Sequence, residues 1–229
     1  MPDTTAPGQP APRKPRGPND TRQLETVSRN RQILQNVLDD PEALTLAEAR
    51  NRDATHFTHG LTLADAYLKE YGQRDDATGT RTGARKTLKA ADTAARKTYG
   101  TLRTLLRDEY ADDPEHLERL GVSTTHAPDD RDTFLEQARA TLAAVRQPPY
   151  ADAVAPAGFK TKDLDAFGTA LDDLQAAAGK KTSATGAHGG STDERDDAYG
   201  GFMGWMKKTR RRLAIAYKEH PATAARVGL

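Results

Sequence analysis

The chain has 229 residues, of which 36% are hydrophobic, 6% aromatic and 29% charged, with a mean hydropathy of −0.80. Lys plus Arg (34) nearly balances Asp plus Glu (33), so no overall field draws the chain to nucleic acid or to a membrane. Cysteine is absent, which excludes a disulfide framework, a thiolate metal site and a thiol nucleophile, and no run approaches the ~18 apolar residues of a membrane span.

Residues 1–18 are Pro-rich and lack the continuous apolar stretch of a signal peptide. They read as a flexible, weakly basic tail with Arg13, Lys14 and Arg16, and a soluble cytoplasmic protein is expected. Asn19 or Asp20 then caps a helix reaching about Leu38, with Leu24, Val27, Ile33 or Leu34, and Val37 or Leu38 as its apolar stripe. Asp39-Asp40-Pro41 ends it and starts a shorter helix through Leu44 and Ala47. Residues 61–72 form an amphipathic helix with Ala64, Tyr67, Leu68 and Tyr71 inward. Residues 73–83 read as a polar turn or weak helix. A long helix follows over about 84–111, with Ala91, Ala95, Tyr99, Leu102, Leu106 and Tyr110 spaced by three or four.

The second half repeats this order. Asp129 or Asp130 opens a helix to about Arg146, and the Pro-rich 147–158 stretch reads as an extended connection. Residues 161–178 form a helix with Leu164, Phe167, Leu171, Leu174 and Ala178 inward. Residues 179–192 read as a flexible loop. A last long helix over about 193–219 carries Ala198, Phe202, Met206, Thr209, Leu213 and Tyr217. No strand pattern is present.

The two halves share punctuation at an offset of 107 residues. Tyr110, Pro114 and Gly121 fall on Tyr217, Pro221 and Gly228, Gly72 on Gly179, and Gly79 on Gly186. A gapless offset that preserves Pro and Gly points to duplication, with residues 19–122 and 123–229 as the two repeats. The repeated corner has a folding reason. Asp113 caps a short helix, Pro114 suits its first position, and Gly121 closes it in the left-handed conformation, with Leu117 meeting Val122. Tyr110 and Tyr217 suit half-buried corners, with an apolar ring and a wet hydroxyl.

Three segments offer chemistry. Asp53, His56 and His59 stand at i, i+3 and i+6, a spacing that offers one carboxylate and two imidazoles to a metal; Gly60 beside them is expected to break the helix. Trp205 precedes Lys207, Lys208, Arg210, Arg211 and Arg212, five cations in six positions suited to phosphates or to a solvated face. The glycines form no phosphate loop, and no Ser/His/Asp set has a recognisable context.

The layout Tyr110…Pro114…Leu120-Gly121-Val122 and Tyr217…Pro221…Val227-Gly228-Leu229 resembles uncharacterised bacterial proteins built from tandem helical units. The resemblance implies an all-helical bundle and no activity. The expectation is therefore an all-α, internally duplicated protein of two similar antiparallel bundles, each of three to four helices, packed about a pseudo-twofold axis. It is read as a non-enzymatic scaffold or protein-interaction module without a cofactor, engaging a protein partner or itself. The alternatives are a nucleic-acid-associated protein using the basic stretch and a small-ligand or metal binder between the repeats.

Overall fold

The structure is a computed structural model that describes the backbone from residue 18 to 229 and side chains from Asp20 onward. Pro18 already opens the first helix; the rest of the expected tail, with Arg13, Lys14 and Arg16, lies outside the described residues. Among the described residues there are eight helices and no strand. They are α1 (Pro18–Asp39), α2 (Pro41–Glu48), α3 (Ala54–Glu109), α4 (Pro114–Arg119), α5 (Arg131–Val145), α6 (Tyr150–Val154), α7 (Thr161–Ala216) and α8 (Pro221–Val227). None is long and apolar enough to cross a membrane.

Helix ends follow local chemistry. Asp40 begins α2, its carboxylate accepting from the Glu42 and Ala43 amides at 3.1 Å. Asp113 caps α4 through the His116 amide (3.2 Å), Pro114 takes the first helical position, and Gly121 follows at φ +66°. The Val122 amide then donates to the Leu117 carbonyl (2.9 Å), the long closing bond of such a cap. At the chain's end Gly228 adopts φ +87° and the Leu229 amide donates to the Ala224 carbonyl (3.0 Å). The expected glycine closure is thus present at both Gly121 and Gly228, but Tyr217, expected half-buried with a wet hydroxyl, is buried and bonded, and α8 has no side-chain cap.

Four local expectations are corrected. Residues 179–192 are helical rather than a loop, and 73–83 take the helical one of their two readings, so α3 and α7 each run through 56 residues. Polar and Gly-rich composition argues against helix locally, but extending an existing helix adds one hydrogen bond per residue fixed, and no new nucleus is needed. The 179–192 stretch of α7 also carries two buried small residues, Ala184 and Ser191. Gly60 does not break α3; it lies buried within it. Asp20 is not a cap but lies in the first turn of α1, where its carboxylate bonds arginines. The 147–158 connection contains α6, and the Phe159 amide closes the following turn on the Val154 carbonyl (3.1 Å).

The chain divides into two compact units, residues 1–74 with 191–229 and residues 75–190. These do not coincide with residues 19–122 and 123–229, because α3 and α7 each contribute to both units. Unit one comprises α1, α2, the start of α3, the end of α7, and α8. Its core gathers Val27, Ile33, Leu34, Val37, Phe57, Ala64, Tyr67, Phe202, Met206 and Leu213. Tyr217, 2% exposed, donates its hydroxyl to the Ala43 carbonyl (3.0 Å), which ties the end of α7 to α2. Arg226 of α8 bonds Asp40 (2.8 Å) and Glu42 (2.7 Å).

Unit two comprises the remainder of α3, then α4, α5, α6 and the start of α7. Tyr99 sits between Phe134 (edge-on, 5.5 Å) and Phe167 (stacked, 6.2 Å). Leu102, Leu106, Ala138, Val145, Leu164, Leu171 and Leu174 fill the space around them. The one fully buried hydroxyl of α5, Thr141, donates to the Leu120 carbonyl (2.8 Å) and so anchors the end of α4. The apolar stripes read from the sequence are the core-facing sides of α1, α3 and α7.

Candidate functional site

In unit one, α3 and α7 bring together two segments that lie far apart in sequence. Asp53 accepts from the His56 amide (2.9 Å) and thereby begins α3. That fixes His56 in the first turn, facing α7, where its Nε2 lies 3.0 Å from the Oγ1 of Thr209. Thr209 is 1% exposed, so the imidazole satisfies an otherwise buried hydroxyl. The His56 ring packs on Trp205 at 4.7 Å between centroids, and His59 meets the indole edge-on at 6.3 Å. The far edge of the indole enters a notch over Gly60, against Leu34.

Burial lowers the pKa of His56 below its ordinary value of 6.5, and the positive fields of Arg52, His59 and Arg212 act in the same direction; Asp53 opposes them. His56 is accordingly neutral at pH 7. The three candidate ligands are used differently, and not as a solvated segment either: Asp53 serves as a cap, His56 meets Thr209 and Trp205, and His59 meets the indole edge. Among the described residues no group of three or more His, Cys, Asp or Glu side chains is placed to hold a metal ion.

Beyond Trp205, α7 turns its basic run outward. Lys207, Lys208, Arg210, Arg211 and Arg212 are all exposed. None of them lies within ion-pair distance of a carboxylate among the described residues. Some arginines elsewhere are paired: Arg31 with Asp65, Arg139 with Asp172 and Arg146 with Asp165. Lys208, Arg211, Arg212 and Ile215 succeed one another at helical spacings of three and four, so they share the outward side of α7. Ile215, 59% exposed, ends that row one residue before the end of α7. The surface therefore combines uncompensated positive charge with an apolar contact. Trp205 lies beside it but is committed to Gly60 and His56.

The two corners differ in their contacts. In unit two, Tyr110 stacks on His116 (5.2 Å, 7° between planes) with Tyr150 edge-on to both, and His116 Nδ1 bonds Asp113 (2.7 Å). In unit one, Tyr217 is buried, and Thr223 donates to Glu42 (3.0 Å). Pro114 and Pro221 begin α4 and α8 in the two corners.

Other residues of interest escaped sequence reasoning. Arg195, 5% exposed, pairs with Asp20 (2.8 Å) and Asp196 (3.0 Å from its Nε), and Asp20 also receives Arg74. On α3, Arg96, Arg103 and Arg107 are spaced by seven and four, which places them on one side of the helix. All three donate to backbone carbonyls between residues 124 and 129. Their common spacing was the available signal. No known family model, no curated protein and no solved structure matches this chain.

Proposed function

We propose that the protein is a non-enzymatic, internally duplicated helical module that binds an acidic protein surface through the outward side of α7. One observation carries the reading: five neighbouring exposed cations, with no carboxylate partner among the described residues, precede the exposed Ile215 near the end of α7. Uncompensated charge steers an acidic partner, and a buried aliphatic anchor supplies short-range affinity. The groups with displaced pKa values have structural work. The carboxyls of Asp40 and Glu42 are held low mainly by Arg226, and those of Asp113 and Asp130 by the helix amides they cap.

Duplication is supported by the elements themselves. α3 and α7 are of equal length, and their starts at Ala54 and Thr161 stand at the same offset as the starts of α4 and α8 at Pro114 and Pro221. The order long helix, short helix, very long helix, short helix occurs twice.

Capture from native extract with the full chain, followed by mass spectrometry, tests the reading. The expected result is a nuclease-resistant acidic protein that is lost when Lys208, Arg211 and Arg212 are replaced by Glu and weakened by Ile215→Ser. Equal recovery with the charge-reversed chain defeats the proposal. A second reading, contact with nucleic-acid phosphates, rests on the same cations. It predicts a gel shift below ~100 mM salt that weakens steeply as salt rises.

A further inference from the structure

The row Lys208, Arg211, Arg212 and Ile215 on α7 has a counterpart on α3 at the same offset of 107 residues: Thr101, Thr104, Leu105 and Asp108. The counterpart is opposite in shape. In unit two these four residues, with Gly100 and Glu109, line an open groove along α3. A Cβ on Gly100 would meet nothing within 4 Å, so the groove is bare there, whereas the matching position on α7 is Lys207. Leu105, half-buried against the core of unit two, supplies an apolar surface within it. One helix thus presents a ridge of long side chains where the other presents short ones.

The two sides are also opposite in charge. Residues 207–218 hold six Lys or Arg and no Asp or Glu; residues 108–118 hold six Asp or Glu and no Lys or Arg. Of those carboxylates, Asp113 bonds His116 and Glu115 pairs with Arg119. Asp108, Glu109, Asp112 and Glu118 are exposed and make no ion pair among the described residues. Each copy of the chain therefore carries an unpaired cationic ridge and an unpaired anionic groove end. Such surfaces attract one another across two molecules, and the attraction fixes orientation as well as partner. The near balance of 34 Lys plus Arg against 33 Asp plus Glu leaves no net repulsion between copies to oppose it.

We propose that the acidic partner of the α7 ridge is a second copy of this chain, which receives the ridge in its α3 groove. The inference rests on the reading of α7 as a site for an acidic protein surface and names that surface. In the contact, Lys208, Arg211 and Arg212 face Asp108, Glu109 and Asp112, and Ile215 lies toward Leu105. That pairing sets α7 antiparallel to α3 of the neighbouring copy and keeps the cations away from Lys97, which stands at the other end of the groove. Ridge and groove are different surfaces, so the contact is heterologous. Each pairing leaves one ridge and one groove free, and copies add head to tail in a row or close into a ring.

Sedimentation velocity of the nuclease-treated full chain tests this. The expected result is self-association that grows with protein concentration in low salt and is lost in about 1 M sodium chloride, where the Debye length is about 3 Å. Two variants separate the surfaces: Lys208→Gln/Arg211→Gln/Arg212→Gln alters the ridge, and Asp108→Asn/Glu109→Gln/Asp112→Asn alters the groove end. All six side chains are exposed, so both variants are expected to keep the circular dichroism of the unaltered chain. Each alone is expected to self-associate about tenfold or more weakly. Mixed, they are expected to form a 1:1 complex that grows no further, because one supplies the intact groove and the other the intact ridge. A chain that stays monomeric in low salt, self-association that either variant retains in full, or a mixture that stays monomeric overturns the proposal. If the chain is monomeric while capture from extract still depends on Lys208, Arg211 and Arg212, the α7 surface serves a different acidic protein and only the self-contact falls.

Discussion

The edge of the Trp205 indole occupies the space that any side chain on Gly60 would need. Gly60 is therefore required by its neighbour across the helix pair. A methyl group there forces the indole or Leu34 to move, and overpacking of this kind costs about 1–3 kcal/mol. Gly60→Ala is expected to destabilise the chain by about 2 kcal/mol in urea denaturation. The loss should shrink markedly in the Gly60→Ala/Trp205→Ala double variant, because the two changes act on one contact. Strict additivity would contradict the notch.

The same contact gives a pH signature. His56 has a folded pKa below 6.5, so between that value and 6.5 the unfolded chain binds the proton more readily. The contribution of neutral His56 to stability is fully present above about pH 6.5 and is lost as pH falls through the folded pKa. Proton NMR of the imidazole should report a midpoint below 6.5, and the single tryptophan should change its fluorescence over the same interval. His56→Gln should remove that fluorescence transition. A midpoint above 6.5 would reverse the sign and refute the burial argument.

Arg195 is the most deeply placed ion-paired cation of unit one, with a side chain 6% exposed against 15% for Asp20. Removing one partner of a buried pair leaves the other charge poorly compensated, at a cost of about 3–5 kcal/mol. Arg74 still reaches Asp20, which moderates the loss. Arg195→Ala is expected to cost about 3 kcal/mol. Arg31→Ala, which breaks an exposed pair with Asp65, should cost less than about 1 kcal/mol. Equal effects in equilibrium denaturation would show that burial does not govern these pairs.

Gly79, Gly83, Gly186 and Gly190 lie inside α3 and α7, and a Cβ built on any of them meets nothing within 4 Å. Alanine is favoured over glycine in a helix by roughly 1 kcal/mol, with no clash to offset it here. Each Gly→Ala change should raise stability by about 0.5–1 kcal/mol. Amide exchange through residues 72–90 and 179–190 should slow accordingly. A destabilising result would reveal a need for glycine that the packing does not contain.

These residues also show how far the sequence could be read. The stripes through Val27–Val37, Tyr99–Leu106 and Phe202–Tyr217 were legible because helical burial repeats every three or four residues. The corners at Pro114–Gly121 and Pro221–Gly228 were legible because capping is local chemistry. The Gly-rich 179–192 stretch was misread as a loop, since a single segment does not reveal the packed partner that sustains it. The basic run was visible as composition, but its lack of carboxylate partners is a property of space. His56 and Trp205 were singled out separately, and nothing in their spacing shows that they touch.

By itself, then, the sequence determined most of the helices and their buried sides, the starts at Asp113 and Asp130, and the recurrence of Tyr, Pro and Gly. Each of these rests on interactions within a few residues of chain. Tertiary structure alone decided that α3 and α7 continue through their glycines and that each compact unit takes helices from both halves. It also decided that Thr209 meets His56 and that Arg103 is buried without a carboxylate. Those outcomes depend on which apolar side finds which, a choice made by packing between residues far apart in the chain and written in no local pattern.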